Sequence, residues 1–237
     1  MALYAIGDLH LSLSVNKSME VFGPAWENYH ARIEEALGVL TDDDTLILAG
    51  DTSWGMSLEE AEADFKFLDR FPGKKYLIKG NHDYWWTTAT KLNRFCAEKD
   101  IKTLEILHNN CVFYGDYAIC GTRGWFLEED QKPHNAKVLA REVGRLEMSL
   151  QAAGEKPILC FLHYPPLYQG YECPEILEIL DKAKIVHIGM VDGDEPYVVP
   201  MNYGYTMDET GTLTLYLHGA PQGRKLDVMR KNPKVFV

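Results

Sequence analysis

The sequence predicts an α/β fold in which helices flank β-sheets and a β-rich tail occupies residues 184–237. Three observations carry this. Four short apolar runs each stop abruptly at a cluster of metal-binding side chains. Amphipathic helix patterns alternate with those runs as far as about residue 180. Beyond residue 184 the pattern changes to three strands separated by Asp-Gly and Thr-Gly turns.

Taken in order, Leu3 to Ile6 reads as a buried strand that ends at Gly7-Asp8-Leu9-His10. On an extended backbone Asp8 and His10, two residues apart, would point the same way. Residues 11–25 read as a loop, and Trp26, Tyr29, Ile33, Leu37 and Leu40 mark a helix. Thr41 to Asp44 is a solvated turn. Thr45 to Ala49 is a strand ending at Gly50-Asp51, and Leu58 to Arg70 is a helix stopped by Pro72-Gly73. A third strand, Tyr76 to Ile78, leads into Gly80-Asn81-His82-Asp83. The aromatics Tyr84-Trp85-Trp86 read as core rather than as a cleft wall. A helix from Thr87 to about Cys96 precedes a hairpin, Cys111 to Tyr114 and Tyr117 to Cys120, expected to open a second sheet. Arg123 reads equally as a contact for a substrate phosphate and as a surface cation. His134 is placed in a solvent-facing Pro-Asn loop, followed by a helix from Asn135 to about Ala153. The strand Pro157 to Leu162 ends in His163, where Pro165-Pro166 fixes the exit of the chain. Pro174 to Leu180 is a further helix.

Ligands in open α/β sheets bind at the carboxyl ends of strands, so four such ends can converge on one site. An Asp, an Asp/His pair, an Asn/His pair and a lone His form an oxygen and nitrogen donor set suited to Mn, Fe or Zn. His82, on the residue after Asn81, points elsewhere and can meet a leaving oxygen, with Asp83 as the partner that orients or charges its imidazole.

The order G-D-x-H, G-D, G-N-H-D and a single His resembles the calcineurin-like metallophosphoesterase family across residues 3 to about 183. The resemblance implies a metallophosphoesterase-type β-sandwich flanked by α-helices, and hydrolysis of a phosphate mono- or diester with two divalent metal ions. It implies Asp8, His10, Asp51, Asn81 and His163 as metal ligands, with Asp51 shared between the ions, and His82 as the proton donor. The substrate class is a small-molecule or nucleotide phosphoester.

The family's fifth motif, G-H-x-H, is missing. Its place holds Gly189-Met190-Val191-Asp192, and thioether sulfur is a poor ligand for hard divalent metals. Asp192, His187 and His218 are the residues that could stand in. Each ion is otherwise one protein ligand short, which predicts weak metal retention and low turnover. The tail, from Gly189-Met190-Val191-Asp192-Gly193-Asp194-Glu195-Pro196 through Leu215-Tyr216-Leu217-His218-Gly219-Ala220 to Gly223-Arg224-Lys225-Leu226-Asp227, has its own resemblance. It is similar to the opening of the split-barrel flavin proteins related to pyridoxamine 5′-phosphate oxidase and nitroimidazole reductases. In them the later segment lies near the flavin phosphate, which would implicate His218, Gly219, Arg224 and Lys225. The remainder of the barrel is absent, and a barrel that cannot close leaves open edges, so FMN is not expected. The chain therefore reads as a hybrid of a metallophosphoesterase domain, 1–183, and a partial split barrel, 184–237, joined near Glu175 to Lys182.

The formal charge of −11 on 237 residues gives no strong nucleic-acid footprint, although a metal pair can hold a phosphate whatever the global sign. Five cysteines without C-x-x-C spacing read as reduced thiols, and no apolar run approaches the ~20 residues of a membrane span. The N-terminus enters a strand directly. These features together predict a cytoplasmic protein and fix no oligomeric state.

Overall fold

Continuous apolar runs mark strands buried on both faces, the pattern of a covered parallel sheet. In the computed structural model, β1 (Leu3–Ile6), β2 (Thr45–Leu48), β3 (Lys74–Leu77) and β4 (Leu104–Ile106) run parallel in the order β1-β2-β3-β4. The structure describes residues 1–125, 132–168, 171–181, 185–192, 195–207, 213–220 and 222–232. Two units divide it, Met1–Pro165 and Pro166–Val237.

In the first unit the sheet's two faces pack against different partners, following the period-two alternation of strands. Leu46, Leu48 and Leu77 join one core with residues of α1 (Tyr29–Leu37), α2 (Leu58–Asp69) and α3 (Ala89–Glu98). Ile47, Tyr76 and Ile78 face the other way and pack with Leu107 and Ile119. Ile119 belongs to β6 (Tyr117–Thr122), the middle strand of a second sheet with β5 (Val112–Tyr114) and β7 (Ile158–Leu162). On the far face of β6, Ala118 and Cys120 pack against Ala153 and Leu150 at the end of α4 (Lys132–Ala152). Each fully buried side chain such as Ile47 or Ile119 contributes about 1.5–3 kcal/mol.

Local signals set the boundaries. Ser57 accepts the amide N–H of Glu60 at 3.3 Å, and Glu60 accepts from Met56 at 2.8 Å, so α2 starts under a reciprocal cap. Helix α1 starts at Tyr29 rather than Trp26, because residues 19–22 and 24–26 form two short 3₁₀ turns around Gly23-Pro24. Helix α4 starts at Lys132, with Pro133 in its first turn, where a missing N–H does no harm. The loop expected around His134 is therefore helix, while the His134 side chain lies outside the described residues. Strand β4 was not legible in the sequence, since three residues are too few to show a period.

The second unit holds a short hairpin, β8 (Leu167–Tyr168) and β9 (Tyr171–Glu172), then α5 (Pro174–Asp181) and an antiparallel sheet. That sheet is β10 (Ile185–Asp192), β11 (Glu195–Met207) and β12 (Leu213–His218), with α6 (Arg224–Lys231) after it. Met190, Met201 and Val228 form its core, flanked by Tyr197, Val199 and Met229. Strand β11 contains Pro196 and Pro200 although it is central. The register explains this: β10 pairs with residues 195–202 and β12 with residues 202–207, so both prolines lie where β11 has one partner.

Candidate metal centre

The pairing of β1 with β2 continues beyond the strands into the loops. Asp8 N–H donates to Gly50 O at 3.0 Å, His10 N–H to Asp51 O at 2.9 Å, and Leu11 N–H to Thr52 O at 3.0 Å. The backbone is not extended there. Asp8, His10 and Asp51 have φ of 55°, 45° and 53°, the left-handed region that non-glycine residues rarely occupy. This corrects the expectation that Asp8 and His10 share a direction through an extended strand. They do converge, because both turn left-handed beside Gly50-Asp51.

Asp51 is 2% exposed and sits at the middle of the cluster. Its Oδ2 lies 3.6 Å from His10 Nε2, and its Oδ1 lies 3.6 Å from His163 Nε2. Asp8 Oδ1 is also 3.6 Å from His10 Nε2. His163 Nε2 meets Asn81 Oδ1 at 2.8 Å, and its Nδ1 is tied to Ala49 O at 2.9 Å, which fixes the ring. Donor atoms of Asp8, Asp51 and His163 all lie within 4.8 Å of one another. Donors that share an ion at ~2.1 Å stand about 3–4 Å apart, so the donor set and its spacing fit a divalent metal. The five residues expected as ligands thus come together.

Two glycines make room. A Cβ on Gly50 would fall 2.5 Å from His163 Nδ1, and one on Gly80 would fall 2.0 Å from Asp51 Oδ1. Glycine in these motifs is a condition of the donors' approach.

His82 lies beside the cluster. Its ring centroid is 5.7 Å from that of His10 and 4.9 Å from that of Trp54, and Nδ1 meets Tyr84 Oη at 3.3 Å. Its backbone N–H donates to Asp51 Oδ1 at 2.8 Å. Burial holds the imidazole below its ordinary pKa, while the contact with His10 holds Asp8 below the usual carboxylate range.

Asp83 stands in a different place from the one expected of a partner to His82. Its carboxylate, 1% exposed, accepts the backbone N–H groups of Gly80 (2.7 Å), Asp51 (2.9 Å) and Thr52 (2.8 Å), and the indole N–H of Trp85 (3.1 Å). These donors belong to the two loops that carry Asp51 and Asn81, so Asp83 ties those loops together. Burial raises its pKa to about 6. The aromatic trio divides: Trp85 is buried edge-on against Phe65 at 4.8 Å, as expected of core, whereas Tyr84 is exposed.

Three contributors, Trp54, Lys17 and Asp64, escaped the sequence reading. Trp54 stacks on His10 with centroids 4.6 Å apart, and Lys17 Nζ lies 3.3 Å from the Trp54 ring centroid. Asp64, fully buried in α2, accepts from Leu13 N–H at 2.8 Å and from the Ser53 hydroxyl, which clasps the loops after β1 and β2. Its spacing within a helix gave no sign of this. Of the residues weighed as replacement ligands, His218 is exposed at the end of β12, and the side chains of His187 and Asp192 lie outside the described residues. Met190, in the first imidazole position of the missing motif, is core.

The family profile of calcineurin-like phosphoesterases matches residues 1–189. The chain belongs to this family. Its family is one of metal-binding hydrolases, in keeping with the convergent donor set. A second profile, pyridoxamine 5′-phosphate oxidase, matches residues 172–237. The two matches overlap across α5 and the first half of β10, where the sequence places the junction of a hybrid. Among solved structures, phosphopantetheinyl hydrolase of Mycobacterium tuberculosis is similar at 16% identity and TM-score 0.47, over 76% of this chain and 71% of that one. A Thermus thermophilus protein has 16% identity and TM-score 0.47 over 91% and 97%. A protein of unknown function from Aquifex aeolicus has 16% identity and TM-score 0.40 over 68% and 90%. No curated protein matches. Among the described residues no helix is long and apolar enough to cross a membrane.

Proposed function

We propose that this chain hydrolyses a phosphate mono- or diester of a small molecule or nucleotide at a two-metal site. The carrying observation is the Asp51 carboxylate, whose two oxygens face different histidines, Oδ2 toward His10 and Oδ1 toward His163. Such a carboxylate can be shared by two ions about 3.5–4 Å apart. Asp8, His10 and Asp51 would hold one ion, and Asp51, Asn81 and His163 the other. Bound Mn, Fe or Zn ions supply a hydroxide at neutral pH and neutralise the phosphoryl oxygens. His82 gives its proton to the leaving oxygen as the ester P–O bond breaks and a new P–O bond to hydroxide forms. Burial lowers its pKa and disfavours the protonated form, so the negative charge of a bound phosphate ester is what would let it carry that proton. Asp83 acts through the loops that it ties rather than on the reacting atoms.

The two sheets of the first unit, packed through Ile47, Tyr76, Ile78 and Ile119, support a β-sandwich as the scaffold. The overlap of the two family matches supports a division into 1–183 and 184–237. With Met190 in a core, each ion has one protein ligand fewer than the family pattern provides, and turnover is low. Metal analysis combined with aryl phosphate mono- and diester assays tests this reading. The expected result is slow hydrolysis that disappears with the metal and in Asp51→Asn. Protein that takes up no divalent metal and cleaves neither ester overturns it, and two tightly held ions with ordinary turnover overturn the impairment.

A further inference from the structure

The two nitrogens of an imidazole are not interchangeable, because the hydrogen bond made by one decides which of them exchanges a proton. Asp83 does not set this for His82: its carboxylate is occupied by the N–H groups of Gly80, Asp51 and Thr52 and by the Trp85 indole. Among the described residues the partner of His82 Nδ1 is Tyr84, whose Oη lies 3.3 Å away. The main chain prepares this contact. Tyr84 N–H donates to the His82 carbonyl at 2.8 Å and Trp86 N–H to the Asp83 carbonyl at 3.1 Å, so the chain turns tightly here. Trp85, buried edge-on against Phe65, anchors the turn and leaves Tyr84 52% exposed beside the His82 ring.

Packing alone leaves the orientation of that ring open. Trp54 and His10, with centroids 4.9 Å and 5.7 Å away, fix where the ring lies. A half-turn about the bond from Cβ to the ring exchanges nitrogen for carbon at nearly the same shape, and only hydrogen bonding distinguishes the two states. With Nδ1 on Tyr84, Nε2 is the nitrogen left for a substrate; after a half-turn a carbon would stand in its place. A phenol oxygen accepts through its lone pairs while giving its own hydrogen to water, which the exposure of Tyr84 supplies.

We propose that Tyr84 is the positioning residue of the proton donor: its Oη accepts from His82 Nδ1–H and so keeps Nε2 as the nitrogen that gives up its proton. The proposal rests on the phosphoesterase reading for its use in catalysis, whereas the hydrogen bond itself needs neither metal nor substrate. As the ester bond breaks, the Nε2–H bond of the imidazolium breaks with it. The proton goes to the leaving oxygen and the electron pair stays on Nε2, which leaves neutral His82 with its hydrogen on Nδ1. Tyr84 keeps its own proton throughout. Tyr84→Phe removes only the hydroxyl of an exposed ring, so the fold stands. NMR of the nitrogen-labelled, metal-free full chain at pH about 8, where imidazoles are neutral, reads the tautomer directly. The His82 signals are assigned by their loss in His82→Gln. Wild type is expected to carry the hydrogen on Nδ1, and Tyr84→Phe to shift it toward Nε2. The same tautomer in both proteins overturns the proposal, as does a wild type with the hydrogen on Nε2. In the metal-loaded chain, kcat for an alkyl phosphate ester is expected to fall about fivefold in Tyr84→Phe, the loss of one neutral hydrogen bond, with KM little changed. The nitrophenyl ester, whose phenolate leaves without a proton, is expected to be cleaved almost as before. Equal losses for the two esters overturn the positioning role. A chain that cleaves neither ester yet shows the tautomer shift removes the phosphoesterase reading and keeps Tyr84 as the residue that orients His82.

Discussion

At the scale of single residues, the site depends as much on missing atoms as on ligands. The hydrogen of Gly80 is all that fits beside Asp51, because a Cβ would lie 2.0 Å from Oδ1. Gly80→Ala must therefore push the shared carboxylate away. We expect a folded protein destabilised by about 1–3 kcal/mol, as in other overpacked sites, with metal content sharply reduced by elemental analysis. A variant that keeps full metal content contradicts the placement of Asp51. Asp83→Asn should lower stability by about 3 kcal/mol in urea melts, since an amide cannot accept from all the N–H donors around it. It should affect metal affinity only through the loops. The convergence of the donor residues was legible in the sequence because four copies of one layout, apolar run then donor, occur in a fixed order. The work of Asp83 was not legible: its partners are backbone N–H groups at residues 51, 52 and 80, and backbone groups leave no mark in a sequence. Arg123 was equally undecided, because its surroundings depend on Glu142 and Arg145, which α4 brings from far along the chain.

At the scale of elements, β3 shows what position alone can hide. Lys75, a cation within a strand, is fully buried. Its Nζ donates to the carbonyls of Phe71 (2.6 Å), Pro72 (3.2 Å) and Gly73 (3.0 Å) and to the Thr103 hydroxyl (3.1 Å), and so closes the turn between α2 and β3. Lys75→Met strands those carbonyls and should lower stability by about 2–4 kcal/mol. Burial lowers the lysine pKa to about 8. An unfolded lysine titrates near ~10.4, so between these values the unfolded chain holds the extra proton and the lysine's contribution rises with pH. Denaturation of wild type and Lys75→Met at pH about 7 and about 10 should show the gap between them widening at the higher pH. A gap that narrows contradicts a depressed lysine. Strands β1, β2, β3 and β7 were readable as apolar runs, and α2 and α4 as amphipathic stripes. Strand β4 is too short for a period, and the eight residues of α6 bury only Val228 among the described side chains, too little to form a stripe.

At the scale of the whole molecule, two units follow one another along the chain, and the two family matches overlap at residues 172–189, within the second. The donors expected as ligands all fall in the first unit. Divalent metal should therefore raise the melting temperature of wild type through mass action on the folded state, and leave Asp51→Asn unmoved. Calorimetry with and without Mn²⁺ reads this directly, and an equal rise in both proteins places the metal elsewhere. The mixed α/β class was legible at this scale because apolar runs alternate with amphipathic helix patterns along the first unit. The long β11 with its two prolines was not, because its partner changes midway along the strand.

The left-handed conformations of Asp8, His10 and Asp51 carry a last consequence. A glycine at Asp8 would adopt that conformation without steric objection, and the carboxylate it removes is largely exposed. Asp8→Gly is therefore expected to melt no earlier than the parent, and up to about 1 kcal/mol later, while losing its grip on metal. Robustness and activity pull this loop in opposite directions, and a selection for heat tolerance alone would be expected to erase the first ligand of the site.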